Sequence, residues 1–211
     1  DSSTSRGLGD VYKRQAQVFP GFRPSNEVDA HRSAIGAFVD LEANITPQFL
    51  ASAALRGEHY TDFGNSLAGK LSARYDFSKT FALRGAVQNG FRAPSPQQQN
   101  FTATSTNFIN GVPFEITTFR PTDRVAVALG AKPLEAEKSV NASFGAVLRF
   151  DPFSITIDAY RIDIEDRIIL SENLTQANVR EYIISQGITG VGGGRFFING
   201  VDTRTQGVDV V

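Results

Sequence analysis

Closely spaced carboxylates are the residues of this sequence whose types could support acid–base catalysis. Asp40 lies two residues before Glu42, and Asp163 is followed closely by Glu165 and Asp166. Such groups can act as a general acid and a general base when they flank a substrate. Paired carboxylates are also common on solvated walls, and no Ser-His-Asp or Cys-His arrangement accompanies them. We therefore interpret both groups as solvated side chains.

Metal and phosphate sites have no support in the sequence. The two histidines, His31 and His59, lack a nearby residue at metal-ligand spacing, and the absence of cysteine excludes disulfides and thiolate ligands. The glycines between 190 and 194 lack the GK[ST] ending of a phosphate-binding loop, so they predict a flexible loop. We therefore expect no metal and no cofactor, and a chain that is not an enzyme.

The overall charge and hydropathy exclude two further classes of protein. The 211 residues include 21 basic and 22 acidic side chains, and this balance argues against a protein that binds nucleic acid. No run of about 18 apolar residues is present, so the sequence predicts no membrane-spanning helix.

The first residues predict an origin outside the native protein. Ser5 to Gln15 (SRGLGDVYKRQ) resemble one translated frame of an adapter used in transposase-made sequencing libraries, whose last codons give Asp-Val-Tyr-Lys-Arg-Gln. We therefore predict that residues 1–15 are non-native and exclude them from arguments about the fold. Because methionine is also absent, we expect residues 16–211 to be an internal fragment of a longer protein.

Alternation of apolar and polar residues is the main structural signal from about residue 33 onward. Alternation places successive side chains on opposite faces of a strand. In six windows of about 9–11 residues, the length that crosses a bilayer at a tilt, every charged residue falls on the polar face. Because a lipid-facing Arg or Lys at mid-bilayer costs about 2–4 kcal/mol, this pattern predicts membrane strands. The predicted strands are residues 32–46, 49–60, 67–77, 81–92, 139–150, 153–168 and, with weaker alternation, 196–211.

The connections between these strands alternate in length. Outer-membrane barrels have short periplasmic turns and longer extracellular loops, and aromatic residues form girdles at the membrane interfaces. Five phenylalanines flank the three short turns, which fits such a girdle. The short turns are residues 46–48, 78–80 and 151–152, the longer connections are 61–66, 94–138 and 168–195, and the flanking residues are Phe49, Phe77, Phe81, Phe150 and Phe153.

The two longest connections differ in their predicted structure. We interpret residues 94–138, which are rich in Pro, Gln, Asn and Thr, as an irregular loop with a short strand at Phe114 to Phe119, and not as a second domain. In the later connection, the pattern from Gln176 to Gln186 predicts a helix that stops at Gly187.

The sixth strand departs from the alternation. Beyond Ala159 its phase places Arg161 and Asp163 on the apolar side. Either a β-bulge resets the phase, or the strand has left the hydrocarbon zone. Both interpretations remain open at this point.

Basic side chains on the polar face are the candidate functional residues. In a barrel they would line the lumen, where a cation faces substrate, an internal plug or only water. A solvated or plug-contacting wall is the simpler interpretation for any one of them, and Arg92, where the fourth strand enters a long loop, is the best single candidate. The lumen-facing candidates are Arg56, Lys70, Arg74, Arg84, Arg92 and Arg149.

Several segments in order resemble the barrel of TonB-dependent receptors. Each is weak alone, but their order and spacing along residues 16–211 are fairly specific. The segments are FPGFRPS at 19–25, GFRAPS at 90–95, LEAEKS at 134–139, DAYRIDIEDRI at 158–168 and TQGVD at 205–209.

The resemblance implies an all-β fold, an antiparallel transmembrane β-barrel of which this chain supplies about seven up-and-down strands as an open curved sheet. Complete barrels of this kind have about 22 strands and a plugged lumen. The resemblance also implies a bacterial outer-membrane location, contact with membrane lipid, import of a scarce solute such as a ferric siderophore, and energy from TonB through a plug domain. Two alternatives remain: a passive porin-like or adhesin barrel, and a soluble β-sandwich binding module whose apolar face meets a second sheet.

Overall fold

A computed structural model describes residues 26–109 and 111–211 of the chain. The predicted non-native segment 1–15 and the FPGFRPS motif lie outside these residues. In chain order the elements are β1 (Ala34–Thr46), β2 (Phe49–Tyr60), β3 (Gly64–Asp76), β4 (Phe81–Arg92), α1 (Pro96–Asn100), β5 (Ala103–Ile109), β6 (Val112–Thr118), α2 (Arg124–Ala128), β7 (Glu137–Phe150), β8 (Phe153–Leu170), α3 (Ala177–Ser185), β9 (Gly193–Arg195) and β10 (Phe197–Val210).

Seven strands form one open sheet in the order β1-β2-β3-β4-β7-β8-β10. The ladders from β1 through β2, β3, β4 and β7 to β8 are antiparallel. Each of the seven strands lies where the alternation predicted a strand, with bounds that differ by up to three residues. Strands β1 and β10 are its two edges. The all-β, up-and-down fold predicted from the sequence is therefore confirmed.

The connection between β2 and β3 is shorter than predicted. The sequence suggested a long connection at 61–66, but the chain turns within 61–63 and Tyr60 pairs with Gly64. Gly64 has φ of +91°, a conformation that favours glycine and permits the tight turn. The strict alternation of short and long connections is therefore wrong at this hairpin, although the connections 93–136 and 171–196 are long.

One face of the sheet is apolar and exposed. Cross-strand partners keep the same phase throughout, so Leu41, Ala53 and Leu71 lie side by side, as do Leu71 and Val87. Leu71 is 60% exposed and Val39 is 58% exposed. A soluble sandwich would bury such side chains against a second layer, whereas lipid would cover them in a membrane.

None of the helices formed by residues 26–109 and 111–211 has the length and apolar character that a bilayer-crossing helix requires.

Aromatic side chains gather at the end of the sheet that holds the β1–β2, β3–β4 and β7–β8 turns. Ring centroids lie 6.3 Å apart for Phe49 and Tyr75, 4.7 Å for Tyr75 and Phe77, and 5.4 Å for Phe77 and Phe81. This continuous row fits the predicted girdle, and it includes Tyr75 in addition to the predicted phenylalanines.

The departure in the sixth predicted strand is not caused by a bulge against β7. Partners run one to one from Phe150 and Phe153 to Lys138 and Glu165 without a shift. Arg161 and Asp163 therefore stay on the face of the apolar residues that precede them. The interpretation as a bulge is wrong for this ladder, which leaves the exit from the hydrocarbon zone.

The two long connections, with residues 26–31, belong to a second compact unit with its own core. Strands β5, β6 and β9 form a three-stranded sheet, in which β6 and β9 run parallel. The core consists of Phe119, Val125, Ala126, Ala131, Ile183, Val191 and Phe196. The strand predicted near 114–119 and the helix predicted at 176–186 are present, but the interpretation of 94–138 as an irregular loop is wrong.

The glycine-rich segment 190–194 is also more ordered than predicted. Gly193 and Gly194 are buried within β9. A Cβ on Gly194 would lie 2.7 Å from the ring of Phe119, and one on Gly192 would lie 2.8 Å from the ring of Phe114. These glycines are required for close packing, so the prediction of a flexible loop is wrong here.

Candidate functional site on the polar face

The six basic candidates lie on one face of the seven-stranded sheet. The register pairs Arg74 with Arg84, Lys70 with Gln88, and Arg92 with Glu137. The registers of these ladders contain no shift, so the side chains of Arg56 on β2 and Arg149 on β7 lie on the same face. The structure thus brings together all six positions that the alternation assigned to the lumen.

Four of these cations are paired with carboxylates, and two of the four pair with a carboxylate two residues further along the same strand. Arg56 forms an ion pair with Glu58, two residues along the same strand face. Arg74 donates to Asp76 at 2.7 Å in the same way. Because side chains at i and i+2 point to the same face of a strand, this pairing follows directly from the sequence spacing.

Arg92, the best single candidate, lies beside a buried carboxylate. Its Nη1 is 3.6 Å from Oε2 of Glu137 on the neighbouring strand β7. The Glu137 side chain is 7% exposed, whereas that of Arg92 is 62% exposed. The guanidinium is therefore free to approach solvent on one side while it compensates a buried charge on the other.

Arg84 reaches across an entire strand. Its Nε and Nη2 donate to the two carboxylate oxygens of Asp158 at 3.0 and 2.5 Å. Strand β7 lies between them, and the residue at the crossing is Gly145, which pairs with both Arg84 and Asp158. Glycine at this position leaves the space through which the two side chains meet. Alternation alone places Asp158 on this face but does not identify Arg84 as its partner.

Lys70 and Arg149 are the two candidates without an ion pair among residues 26–109 and 111–211. No carboxylate oxygen of these residues lies within 4.0 Å of either charged group. Of the six candidates, these two cations are the ones available to an external anionic group.

Two shallow depressions lie on the same face. One, of about 340 Å³, is bordered by Asp40, Arg56, Lys70 and Gln88 around the small side chain of Ala54. The other, of about 380 Å³, is lined by the charges and hydroxyls of Glu42, Ser52, Ser72, Arg74, Arg84, Ser143 and Asp158. Asp40 and Glu42 therefore border open, solvated surface, as their interpretation as solvated side chains predicted.

Two members of the second carboxylate group, Asp163 and Asp166, form ion pairs. Asp163 accepts from Arg161 at 2.6 Å and from Arg204 at 2.5 Å. Asp166 lies 3.9 Å from the ammonium of Lys138. Among the residues that the structure describes, no cluster of His, Cys, Asp and Glu could hold a metal ion.

Comparison with known protein families identifies the family of this chain. The family model described as TonB dependent receptor-like, beta-barrel matches residues 2–210. The chain belongs to this family. Because the matched range starts within residues 1–15, the adapter-like origin of that segment stays a prediction.

Relatives of this TonB-dependent receptor chain include siderophore receptors. It is 24% identical over 132 residues to the ferric enterobactin receptor PirA of Pseudomonas aeruginosa, an alignment that covers 63% of this chain and 17% of that protein.

Solved structures with the same fold are also siderophore receptors. The crystal structure of PirA from P. aeruginosa has a TM-score of 0.65 at 18% identity and covers 85% of this chain and 30% of that chain. The crystal structure of PirA from Acinetobacter baumannii has a TM-score of 0.61 at 16% identity, with 85% and 25% covered. The present chain thus spans less than a third of the length of these relatives.

Proposed function

We propose that this chain is part of a bacterial outer-membrane receptor that imports a ferric siderophore with energy supplied through TonB. The observation that carries the proposal is the two-faced sheet. Its apolar residues would contact lipid and its charged residues would face a lumen, in a chain of the TonB-dependent receptor family. Seven strands would be about a third of a barrel of about 22 strands.

The relatives and the unpaired cations support the proposed solute class. Relatives named for ferric enterobactin or siderophores support a siderophore over the other bulky solutes of the family. Lys70 and Arg149 have no ion pair in the described part of the chain, so both would attract an anionic solute or an acidic plug surface. The four paired arginines would form a neutral wall. The proposed activity involves no chemical conversion of the solute.

Uptake in cells tests this function. A complete receptor gene that contains these residues would be expressed in a strain lacking its own siderophore receptors, with and without TonB. We expect uptake of radiolabelled ferric enterobactin that requires TonB. Uptake that persists without TonB would indicate the porin-like alternative, and a folded receptor with no uptake would refute the proposed solute.

Charge neutralisation tests the residue-level part of the proposal. Lys70→Gln with Arg149→Gln is expected to raise the KM of uptake about tenfold, the change that 1.4 kcal/mol produces. The matched control is Lys79→Gln, which removes a cation from the exposed β3–β4 turn and leaves the polar face unchanged. Equal effects of the control and the double variant would show that general charge, and not these two positions, attracts the solute.

A further inference from the structure

Three charged residues interrupt the apolar face of the sheet near the end with the long connections. Arg161 and Asp163 follow Ile157 and Ala159 in phase on β8, and the ladder to β7 has no shift. Arg204 reaches Asp163 from β10. These side chains therefore belong to the face that would contact the membrane, and the proposed transport function does not use them.

The three residues form one network that we call the Asp163 triad. Arg161 donates to both carboxylate oxygens of Asp163, at 2.6 and 3.3 Å, and Arg204 donates to one of them at 2.5 Å. Two guanidinium groups thus share one carboxylate, which leaves a net charge of +1. The arginine side chains are 51% and 60% exposed, and each guanidinium carries five N–H donors, most of which have no acceptor among the described residues.

Strand geometry places the triad at the outer edge of the apolar band. Phe153 opens β8 beside the short turn, where the girdle marks one interface. With a rise of about 3.4 Å per residue and a tilt of about 40°, Arg161 lies about 21 Å above it and Asp163 about 26 Å. The apolar band of such barrels is about 25 Å tall. The triad therefore lies where hydrocarbon gives way to headgroups.

Charged residues of both signs lie beyond the triad, further from the apolar band. Glu165 pairs in register with Lys138, whose ammonium is 3.9 Å from Asp166. Asp202 accepts from the backbone N–H of Asp166 at 3.0 Å. On β8 the triad is thus the charged group nearest the apolar band, and it carries a net positive charge. This position is complementary to a lipid layer whose phosphates are close to the hydrocarbon.

From this placement we infer that the Asp163 triad binds the phosphate of an anionic lipid headgroup in the outer leaflet. Asp163 holds two guanidinium groups side by side, and the forked N–H donors of a guanidinium suit the oxygens of a phosphate group. The lipid would approach from the outside of the barrel, so the inference does not depend on the solute.

Lipid retention by the complete receptor tests the assignment. The purified receptor would be exchanged into phosphatidylcholine micelles containing phosphatidic acid, and retained phosphatidic acid would be measured by native mass spectrometry. We expect Arg161→Gln with Arg204→Gln to lower the affinity about fivefold for each arginine, the factor that ~1 kcal/mol per basic residue near an anionic surface gives. Arg149→Gln, a cation on the polar face, is the matched control and should retain lipid as the unaltered receptor does.

A second variant separates binding from a structural role. Asp163→Asn removes the shared carboxylate, so it should increase lipid retention if the guanidinium groups bind phosphate. A loss of retention in Asp163→Asn, or an unchanged retention in the double arginine variant, would overturn the inference. Displacement of the lipid by inorganic phosphate as readily as by phosphatidic acid would also overturn it, because the site would then take a free anion.

Discussion

The ion pair between Arg84 and Asp158 depends on a third residue, and this dependence can be measured. An ideal Cβ at Gly145 would lie 3.1 Å from Nε of Arg84 and 3.0 Å from Cγ of Asp158, and closer still to Oδ1. The methyl group of an alanine would thus occupy the space in which the Arg84 and Asp158 side chains meet. We therefore predict that Gly145→Ala uncouples the pair without removing either charge.

The expected coupling energy of the ion pair follows from the exposure of its two side chains. The Arg84 and Asp158 side chains are 48% and 30% exposed, so solvent screens the pair and its coupling energy should be about 0.5–1 kcal/mol. The backbone at Gly145 is not in the left-handed region. Alanine at position 145 should raise the free energy of unfolding by about 0.4–1 kcal/mol, because it restricts the conformations of the unfolded chain. The free energy of unfolding of Gly145→Ala alone should consequently change little, whereas the coupling should fall close to zero.

Double-mutant cycles separate these two quantities. Urea unfolding of the complete receptor in lipid vesicles would be measured for Arg84→Gln, Asp158→Asn and their combination, with glycine and with alanine at 145. The same cycle on Arg56 and Glu58 is the control and should give equal coupling in both backgrounds. A coupling between Arg84 and Asp158 that survives the alanine to within about 0.3 kcal/mol would refute the reasoning.

Three further substitutions test the faces, the packing and the turn. Leu71→Arg on the apolar face should destabilise the folded receptor by about 2–4 kcal/mol in vesicle unfolding, whereas Lys70→Gln, one residue away on the polar face, should change stability by less than about 0.5 kcal/mol. Gly194→Ala should loosen the unit formed by the long connections and raise its rate of limited proteolysis. Gly57→Ala is the control and should leave this rate unchanged, because its added carbon would contact only the flexible end of a leucine side chain at 3.9 Å. Gly64→Ala should cost about 1–2 kcal/mol from backbone strain alone, because nothing lies within 4 Å of the added carbon, and unchanged urea unfolding would contradict the turn geometry.

The seven membrane strands could be predicted because a single physical requirement shapes each of them. A lipid-facing charge is costly in the middle of the band, so alternation is enforced locally there and needs no knowledge of distant residues. The same rule placed all six candidate cations on one face. It did not predict the tight turn at 61–63, because that turn depends on the positive φ of one glycine and not on a composition typical of short turns.

Alternation predicts the face on which a side chain lies, but it does not predict its partner on the neighbouring strand. Alternation fixes which side a residue is on but not which residue is opposite it, and a shift of one pair of residues keeps the faces unchanged. Arg84 and Asp158 are 74 residues apart, and the long connection between β4 and β7 separates them. Their partnership follows only from the observed register.

The core of the second unit was missed because its residues are scattered over two connections. Phe119 and Ile183 lie on opposite sides of β7 and β8 in the sequence, and β9 is a three-residue strand that begins with two glycines. No local pattern joins them. Glycine was interpreted as a sign of flexibility, whereas at Gly193 and Gly194 it permits a close approach between backbone and side chains.

In the proposed transport function, the pairing of the arginines on the polar face would determine how strongly this wall attracts the solute. A pathway must bind its solute strongly enough to admit it and weakly enough to release it. Free guanidinium groups along the wall would hold an anionic iron complex at every step. Ion pairs with Glu58, Asp76 and Asp158 leave the wall polar and hydrated without that attraction. Strong selectivity would then come from elsewhere in the receptor, while Lys70 and Arg149 would supply attraction at two positions only.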